Sequence, residues 1–341
     1  MVARVMLAVA CCLMPAIGPR QVAADDEVVA DTIIAHQRGN GGWPKHYDRT
    51  KRLDDASRAQ VAVDRGARDT TIDNGATYRD IRLLATCDGP DRDPRIAAAV
   101  QRGIEYLLAG QYPAGGWPQR FPDAEGYPTQ ITFNDDATVG VLELLHDVAT
   151  GRPEFSCVPA AIRDRCRESV RRGIDCILAC QIVIDGRRTV WCAQHDRETL
   201  RPCGARSFEL PSLSGSESVG IVRFLMRIDR PSPDVIAAVE AAAAWFERAR
   251  IEGLELRRVP AADTPRGYDV CLVPAPGNRD LWARFYDLET GEPFVCGRDG
   301  VPTSTLADIP YERRVGYSWY GPYAKRLLDE ELPGWRDRVG R

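Results

Sequence analysis

The sequence predicts a mainly α-helical fold, an incomplete α/α toroid of paired-helix repeats with long loops and a small β-hairpin near the C-terminus. Three observations support this prediction. A motif recurs along the chain at intervals of roughly 70 residues. Several long segments have apolar residues at the three-to-four spacing of amphipathic helices. Two strand-like segments flank a glycine turn close to the end of the chain.

The repeat is marked by a glutamine that precedes a tryptophan. It occurs in three copies: Gln37 with Gly-Gly-Trp-Pro at 41–44, Gln111 with Gly-Gly-Trp-Pro at 115–118 and, more faintly, Gln181 with Trp191. Such a period accommodates two helices and a long loop, and each apolar helix face needs a neighbour to be buried. We interpret Trp43 and Trp117 as packing residues rather than as platforms for a ligand.

Five segments have the apolar periodicity of helices: 95–110, 137–149, 161–181, 219–228 and 234–250. The loops between them are long and rich in Gly and Pro, and loops of that length in a compact domain are commonly functional. Near the end, residues 281–286 and 293–296 flank Glu-Thr-Gly and predict the hairpin.

The first residues have the layout of a secretory signal peptide. Arg4 precedes an apolar run over residues 5–17, and small residues then lead to a predicted cleavage site near Ala24. We therefore expect a signal peptide at 1–24, a single domain at 25–341 and a secreted or periplasmic protein. A lipid anchor at Cys11 or Cys12 is the alternative. No later segment has ~18 uninterrupted apolar residues, so no membrane span is predicted.

The composition restricts the ligands of the protein. A formal net charge of −4 argues against broad electrostatic binding of nucleic acid or of a membrane surface. An anionic ligand therefore needs a local cluster of cations. The sequence has 11 cysteines, and in an oxidising compartment disulfides are expected. Their connectivity stays open, but three pairs would each close a loop: Cys157 with Cys166, Cys192 with Cys203, and Cys271 with Cys296.

Polar side chains concentrate in three loops at the predicted starts of helices: 70–78, 132–137 and 205–218. In a ring of alternating up and down helices, helix starts that are one repeat apart lie around the same mouth. We therefore expect Asp73 and Asp135 to converge. The competing explanation is that these carboxylates only cap helices and favour the positive end of the helix dipole.

Five motifs, taken in order, resemble polysaccharide lyase family 10, the pectate lyases: Gly-Gly-Trp-Pro-Lys (41–45), Thr-Ile-Asp-Asn-Gly-Ala-Thr (71–77), Phe-Asn-Asp-Asp-Ala-Thr (133–138), Trp-Cys-Ala-Gln-His-Asp (191–196) and Ser-Leu-Ser-Gly-Ser-Glu-Ser (212–218). The resemblance spans nearly the whole mature chain. It implies a toroid-like α-helical fold, calcium dependence and an arginine base acting on a galacturonan chain. The implied reaction is β-elimination of α-1,4-polygalacturonate, which gives 4,5-unsaturated oligogalacturonates.

Calcium fits the chemistry of such a reaction. The C5 proton of a 4-linked uronate is only weakly acidic, so its removal requires the developing negative charge to be neutralised. Ca2+ prefers hard oxygen ligands and stabilises an enolate-like intermediate. By the resemblance, Asp135 is a direct calcium ligand, and Asp73 and Asn74 complete a site that the substrate carboxylate bridges. Asp136 is the competing second carboxylate and a candidate substrate-binding residue.

The resemblance also assigns the base. Arg206 matches the catalytic arginine of the family, and because free arginine has a pKa of about 12.5 or higher, an alkaline activity optimum is expected. Lys45 and Arg298 are candidates to bind further galacturonate carboxylates, with surface charge as the alternative for both. His195 lies within a matching motif, and we expect it to make a structural hydrogen bond rather than to act in catalysis.

Two other functions stay open. An inverting glycoside hydrolase would use Asp73, Asp135 and Glu217 as its acid and base. A non-catalytic pectin-binding protein would keep the groove and its cations without turnover, although the Arg206 segment argues against it. The expected partner is polygalacturonate, with Ca2+ as the cofactor, without nucleic acid or membrane, and the chain is expected to be a monomer.

Overall fold

The computed structural model describes residues 19–87 and 93–341. Most of the predicted signal peptide therefore lies outside the described residues, and the structure does not test its cleavage. The helices are α1 (Pro19–His36), α2 (Asp55–Val63), α3 (Tyr78–Thr86), α4 (Pro94–Ala109), α5 (Ala137–Ala149), α6 (Ala160–Cys180), α7 (Glu217–Met226), α8 (Pro233–Arg248), α9 (Tyr311–Gly316) and α10 (Leu332–Val339). The five segments with helical periodicity correspond to α4 to α8.

The strands, apart from two of seven residues each, are short. They are β1 (Ile131–Thr132), β2 (Val183–Ile184), β3 (Arg187–Arg188), β4 (Gln194–His195), β5 (Leu213–Ser214), β6 (Leu254–Pro260), β7 (Tyr268–Pro274), β8 (Trp282–Ala283), β9 (Phe285–Tyr286), β10 (Pro293–Cys296), β11 (Pro302–Thr303) and β12 (Tyr320–Gly321). The largest sheet has the order β11-β10-β9-β5, and the longest pairing is the antiparallel β6–β7 hairpin.

The prediction of a mainly α-helical toroid with one small β element is wrong. Under half of the chain is helical, and the described residues contain five sheets. The expected hairpin strands β9 and β10 do pair, but β9 also pairs with β5, and β8 pairs with β12 instead. Two-residue strands are too short to show an alternating pattern, so only the folded chain could pair them.

The repeat appears in the structure as a recurring hydrogen bond from a buried indole. Each tryptophan donates through Nε1 to the carbonyl of an earlier helix: Trp43 to Ile33 (2.7 Å), Trp117 to Leu107 (2.7 Å), Trp191 to Ile177 (2.7 Å) and, in a fourth position, Trp282 to Phe246 (2.8 Å). All four side chains are fully buried. A buried indole N–H needs such an acceptor, so the interpretation of Trp43 and Trp117 as packing residues agrees with the structure.

Each glutamine of the repeat connects its own loop to a helix of the following repeat. Gln37 Nε2 donates to the carbonyls of Gly41 and Ala99, both at 2.9 Å. Gly41 has a φ of 95°, and a Cβ there would lie 2.4 Å from a carbonyl oxygen of α4. Only glycine accommodates both the left-handed backbone and this close approach. The corresponding Gly115 has a φ of 99° and the same close contact with α6.

Helix α5 lies at the centre of the described fold. It packs against α3, α6 and α7, and nearly all of its residues are buried. A helix in such a position is expected to be largely apolar, and the ionisable residues of α5 are Glu143, His146 and Asp147. Because α5 begins directly after Asp136, the packing of this helix determines where the preceding acidic turn lies.

Two further expectations concern the cysteines and the membrane. All nine cysteines in the described part of the chain have free thiols, so the three suggested disulfides are absent from this structure.

Among the described residues, no helix combines the length and apolar character needed to cross a membrane.

Candidate active site

Two acidic turns with the same backbone conformation precede α3 and α5. They are the 3₁₀ turns Asp73–Gly75 and Asn134–Asp136, and their middle residues Asn74 and Asp135 have left-handed φ values of 49° and 51°. Asn and Asp tolerate this conformation better than most residues. The two turns are in contact with each other. The structure therefore brings Asp73, Asn74 and Asp135 into one region.

A third turn with a related sequence precedes α7. Ser212-Leu-Ser-Gly-Ser-Glu-Ser218 has the same pattern of hydroxyl and apolar residues as 71–77 and 132–138. Backbone N–H groups of all three segments donate to the carbonyl of the repeated tryptophan upstream, at 2.8 to 3.2 Å. Since α5 contacts both α3 and α7, this third segment adds Glu217 to the same end of the helices.

The Asp73 carboxylate is held from both sides. Lys45 forms an ion pair with Oδ2 of Asp73, and Asn74 Nδ2 donates to Oδ1 at 2.9 Å. The backbone N–H of Asp73 donates to the Thr71 hydroxyl at 3.0 Å. Lys45 therefore neutralises the first acidic turn.

The second turn carries two neighbouring carboxylates. Asn134 Nδ2 donates to Asp135 Oδ2 at 2.9 Å, while 39% of the Asp135 side chain stays exposed. Asp136 lies against Gly220 of α7, where an added Cβ would be 2.1 Å from its Oδ1. Burial, together with the charges of Glu217, Glu143 and Asp135, raises the pKa of Asp136 to about 6. These carboxylates repel one another, so the turn favours a cation beside it.

A buried arginine lies beneath the second turn. Arg284 Nη2 forms an ion pair with Glu217, donates to Asn134 Oδ1 at 3.1 Å and lies 3.7 Å from Asp135 Oδ1. Burial alone would lower the pKa of Arg284, but the charge of Glu217, with smaller contributions from Tyr317, Tyr323 and Asp135, outweighs it and holds this pKa above its ordinary value. The cleft above is lined by Asp135, Asp136, Glu217, Arg223, Arg284 and Tyr323.

Arg206 lies on the loop before the third turn and faces Glu209. Its Nε donates to Glu209 Oε2 at 2.7 Å, its Nη2 contacts Oε1, and its backbone N–H donates to Oε2 at 3.2 Å. The hydrogen bonds to Glu209 raise the pKa of Arg206 above its ordinary value. The Arg206 side chain is 44% exposed and is therefore accessible to a ligand.

Arg298 lies near Arg206, around the Phe208 ring, and not beside the acidic turns. Its guanidinium carbon is 5.7 Å from the ring centroid of Phe208, and those of Arg206 and Arg313 are 4.8 Å and 4.6 Å from the same centroid. Arg298 also forms an ion pair with Glu312 at 2.7 Å. Three cations therefore surround one buried aromatic ring.

His195 is structural, as the sequence interpretation expected. The ring is fully buried, Nε2 accepts from the Cys192 backbone N–H at 3.1 Å, and Nδ1 is 2.8 Å from the Leu200 carbonyl. Burial lowers the pKa of His195 to about 4. The neutral ring connects two backbone segments of the loop and does not reach the cleft residues.

The sequence interpretation missed three residues of the site: Arg284, Glu209 and Tyr317. Arg284 lies within the predicted strand 281–286, and a charged residue in a buried strand is rare unless it is paired. That signal was available in the sequence. Glu209 and Tyr317 are 108 residues apart, and no local pattern indicates their contact.

The donor atoms of the two turns suit a hard cation. Carboxylate oxygens of Asp73 and Asp135 and amide oxygens of Asn74 and Asn134 are the ligand types that Ca2+ prefers. Within residues 19–87 and 93–341, however, no group of three or more His, Cys, Asp or Glu side chains is arranged to hold a metal ion. A cation bound here would need further oxygen ligands from a ligand or from water.

Comparison with known proteins identifies the class. An aspartate-to-alanine mutant of a family 10 polysaccharide lyase from Cellvibrio cellulosa, in complex with trigalacturonic acid, has 33% sequence identity and a TM-score of 0.79 over 95% of this chain and 94% of that chain. A family 10 polysaccharide lyase from the same organism, also at 33% identity, has a TM-score of 0.76 over 94% and 93%. The fold is that of a polysaccharide lyase.

The family model described as pectic acid lyase matches residues 37–328. The chain belongs to this family and is a pectate lyase. The resemblance seen in the five sequence motifs is thereby confirmed. Among proteins with curated descriptions, none matches the chain.

Proposed function

We propose that the protein is a secreted or periplasmic pectate lyase, matured by cleavage near Ala24, that acts as a monomer. It cleaves α-1,4-polygalacturonate by Ca2+-assisted β-elimination and releases 4,5-unsaturated oligogalacturonates. One observation carries the proposal: the acidic turns lie beside a group of arginines that suits a polyanion. The trigalacturonic acid bound to the similar Cellvibrio lyase supports the same substrate class.

The residues of the second turn fit a calcium site that is completed by the substrate. Asp135 is the exposed carboxylate of the turn, and its neighbour Asp136 has a pKa raised first by burial and then by the nearby negative charges. Asp135 would hold the ion directly, with Asp73 and Asn74 contributing from the first turn. When bound, Ca2+ supplies the positive charge that acidifies the C5 proton by withdrawing electron density from the substrate carboxylate. Asp136 then lies beside bound substrate.

The cations of the site bind and orient the substrate. Arg298 presents a positive group to galacturonate carboxylates, and Lys45 does the same once it is released from Asp73. Arginine has the better bidentate geometry of the two. Arg206 takes the C5 proton at a guanidinium nitrogen. Because Glu209 holds the pKa of Arg206 high, only a small neutral fraction is available near pH 7, and we expect activity to rise into the alkaline range.

The geometry favours a lyase over an inverting glycoside hydrolase. Such a hydrolase needs a protonated carboxyl group as its general acid. Two of the three carboxylates that the sequence offered for this role, Asp73 and Glu217, are instead ion-paired with Lys45 and Arg284. A carboxylate oxygen that is held in an ion pair is not free to contact a glycosidic oxygen, which opposes the role of proton donor.

The test is an ultraviolet assay on polygalacturonate with added calcium and then with a chelator. We expect an unsaturated product that absorbs in the near ultraviolet, with loss of activity under chelation and recovery on adding calcium. Highly methylated pectin serves as the control substrate, because an ester cannot bind calcium as a carboxylate does. Reducing ends without the chromophore would identify a hydrolase, and binding without turnover would identify a pectin-binding protein.

A further inference from the structure

A continuous set of contacts connects Arg206 with the acidic turn, and Tyr317 lies in the middle of it. The ring centroid of Tyr317 is 4.6 Å from the guanidinium carbon of Arg284 and 5.8 Å from that of Arg206. Arg284 in turn donates to Asn134 and lies 3.7 Å from Asp135. The two halves of the site, 71 positions apart in sequence, are therefore joined through one phenol ring.

Glu209 determines the orientation of Arg206. Its two carboxylate oxygens accept from the side chain and the backbone N–H of Arg206, and Oε1 also accepts from the Tyr317 hydroxyl at 2.7 Å. The Glu209 side chain is only 6% exposed. Burial alone would raise the pKa of Glu209, but hydrogen bonds from Arg206 and Tyr317 hold it below its ordinary value. The carboxylate is thus charged, and donors from two residues determine its position.

Tyr317 is itself held in place by an aromatic cluster. Its ring packs edge-on against Phe208 at a centroid distance of 5.3 Å and is tilted against Trp319 at 4.8 Å and Phe285 at 6.2 Å. Phe208, Phe285 and Trp319 are fully buried. A side chain packed on several sides keeps one rotamer, and such packing is what keeps a catalytic group in a productive geometry.

We propose that Glu209 and Tyr317 are positioning residues that place the Arg206 guanidinium relative to the Asp135 turn. The inference rests on the proposed role of Arg206 as the base. Tyr317 hydrogen-bonds to Glu209, and Glu209 presents the guanidinium group at one angle. Neither residue transfers a proton in this role. Loss of the Tyr317 hydroxyl removes the hydrogen bond that connects the Arg206–Glu209 pair to the aromatic cluster, so the base is partly misplaced while substrate binding persists.

The test is the Tyr317→Phe variant, which keeps the ring and removes only the hydroxyl. We expect kcat on polygalacturonate to fall about tenfold, because misplacing a catalytic group by ~1 Å costs on the order of a hundredfold and a partial misplacement costs less. KM and the calcium concentration for half-maximal activity should stay within about twofold of the parent. Circular dichroism and the melting temperature monitor the fold.

Tyr311→Phe is the matched control. The hydroxyl of Tyr311, in α9, donates to the Tyr268 carbonyl at 2.8 Å. Among the described residues, Tyr311 has no hydrogen bond to Arg206 or Glu209. It should keep the parent kcat. If Tyr317→Phe has the same kcat as Tyr311→Phe, or if it raises KM without lowering kcat, the positioning role is refuted.

Two more variants separate this inference from the proposed function. Glu209→Gln keeps the shape of the side chain and removes its charge, and it should lower kcat at least as much as Tyr317→Phe does. Arg206→Lys tests the base itself. Loss of activity in Arg206→Lys together with normal kcat in Tyr317→Phe and Glu209→Gln would refute only the positioning role. Normal kcat in Arg206→Lys would refute the base role and the inference together.

Discussion

The ion pair between Glu217 and Arg284 supports a quantitative prediction of stability. The Glu217 side chain is 3% exposed and that of Arg284 is 10% exposed. In Glu217→Ala, Arg284 loses its closest carboxylate and keeps the 3.1 Å hydrogen bond to Asn134, the 3.7 Å approach to Asp135 and the contact with the Tyr317 ring. Removing one partner of a buried ion pair leaves an uncompensated charge and costs about 3–5 kcal/mol. We expect Glu217→Ala to lower the free energy of unfolding by that amount.

The assay is urea unfolding followed by circular dichroism, with the free energy obtained by linear extrapolation. Glu330→Ala is the control, because Glu330 and its partner Arg326 are 70% and 72% exposed, and an exposed pair is worth about 0.5 kcal/mol. The double variant Glu217→Leu/Arg284→Met should recover part of the loss, since it removes the unpaired charge. A loss below about 1 kcal/mol in Glu217→Ala would refute the assignment of a buried, energetically important pair.

Arg206→Lys should lower kcat by about a hundredfold or more with little change in substrate affinity, and a variant that keeps over about a tenth of kcat would remove Arg206 from the role of base. Asp135→Ala should raise the calcium concentration needed for half-maximal activity by at least about tenfold while circular dichroism stays unchanged; normal activity at low calcium would exclude it as a ligand. The pKa of His195 is about 4 against about 6.5 in the unfolded chain, so its contribution to stability should fall by about 3 kcal/mol as the pH drops from 6.5 to 4. Comparison of urea unfolding at both pH values with His195→Gln isolates that contribution, and an equal pH dependence in the two proteins would contradict it. Gly173→Ala should destabilise the protein by about 1–3 kcal/mol, because the new methyl would lie 2.3 Å from a leucine of α5, whereas Gly334→Ala, with open space around it, should be neutral or stabilising in the same unfolding experiment.

Helices α4 to α8 and the family were predictable from the sequence because both depend on local information. The apolar periodicity of 137–149 requires only the thirteen residues of α5, and the burial of Trp43 and Trp117 follows from the repeat. The five motifs identified the pectate lyases because their order along the chain is itself specific. The acidic turns were found in the same way, through short segments rich in Asp and Asn at the starts of helices.

Tertiary structure alone decided the pairing of the two-residue strands and the connection between the two halves of the site. Strands of two residues, such as β8 and β12, carry no periodicity, and their pairing depends on chain segments that meet only after folding. The same reason explains why Glu209, Arg284 and Tyr317 were missed. Arg284 and Glu217 are 67 positions apart, and Tyr317 and Glu209 are 108 positions apart. Burial, which determines the strength of such charged contacts, is a property of the packed chain and not of any local segment.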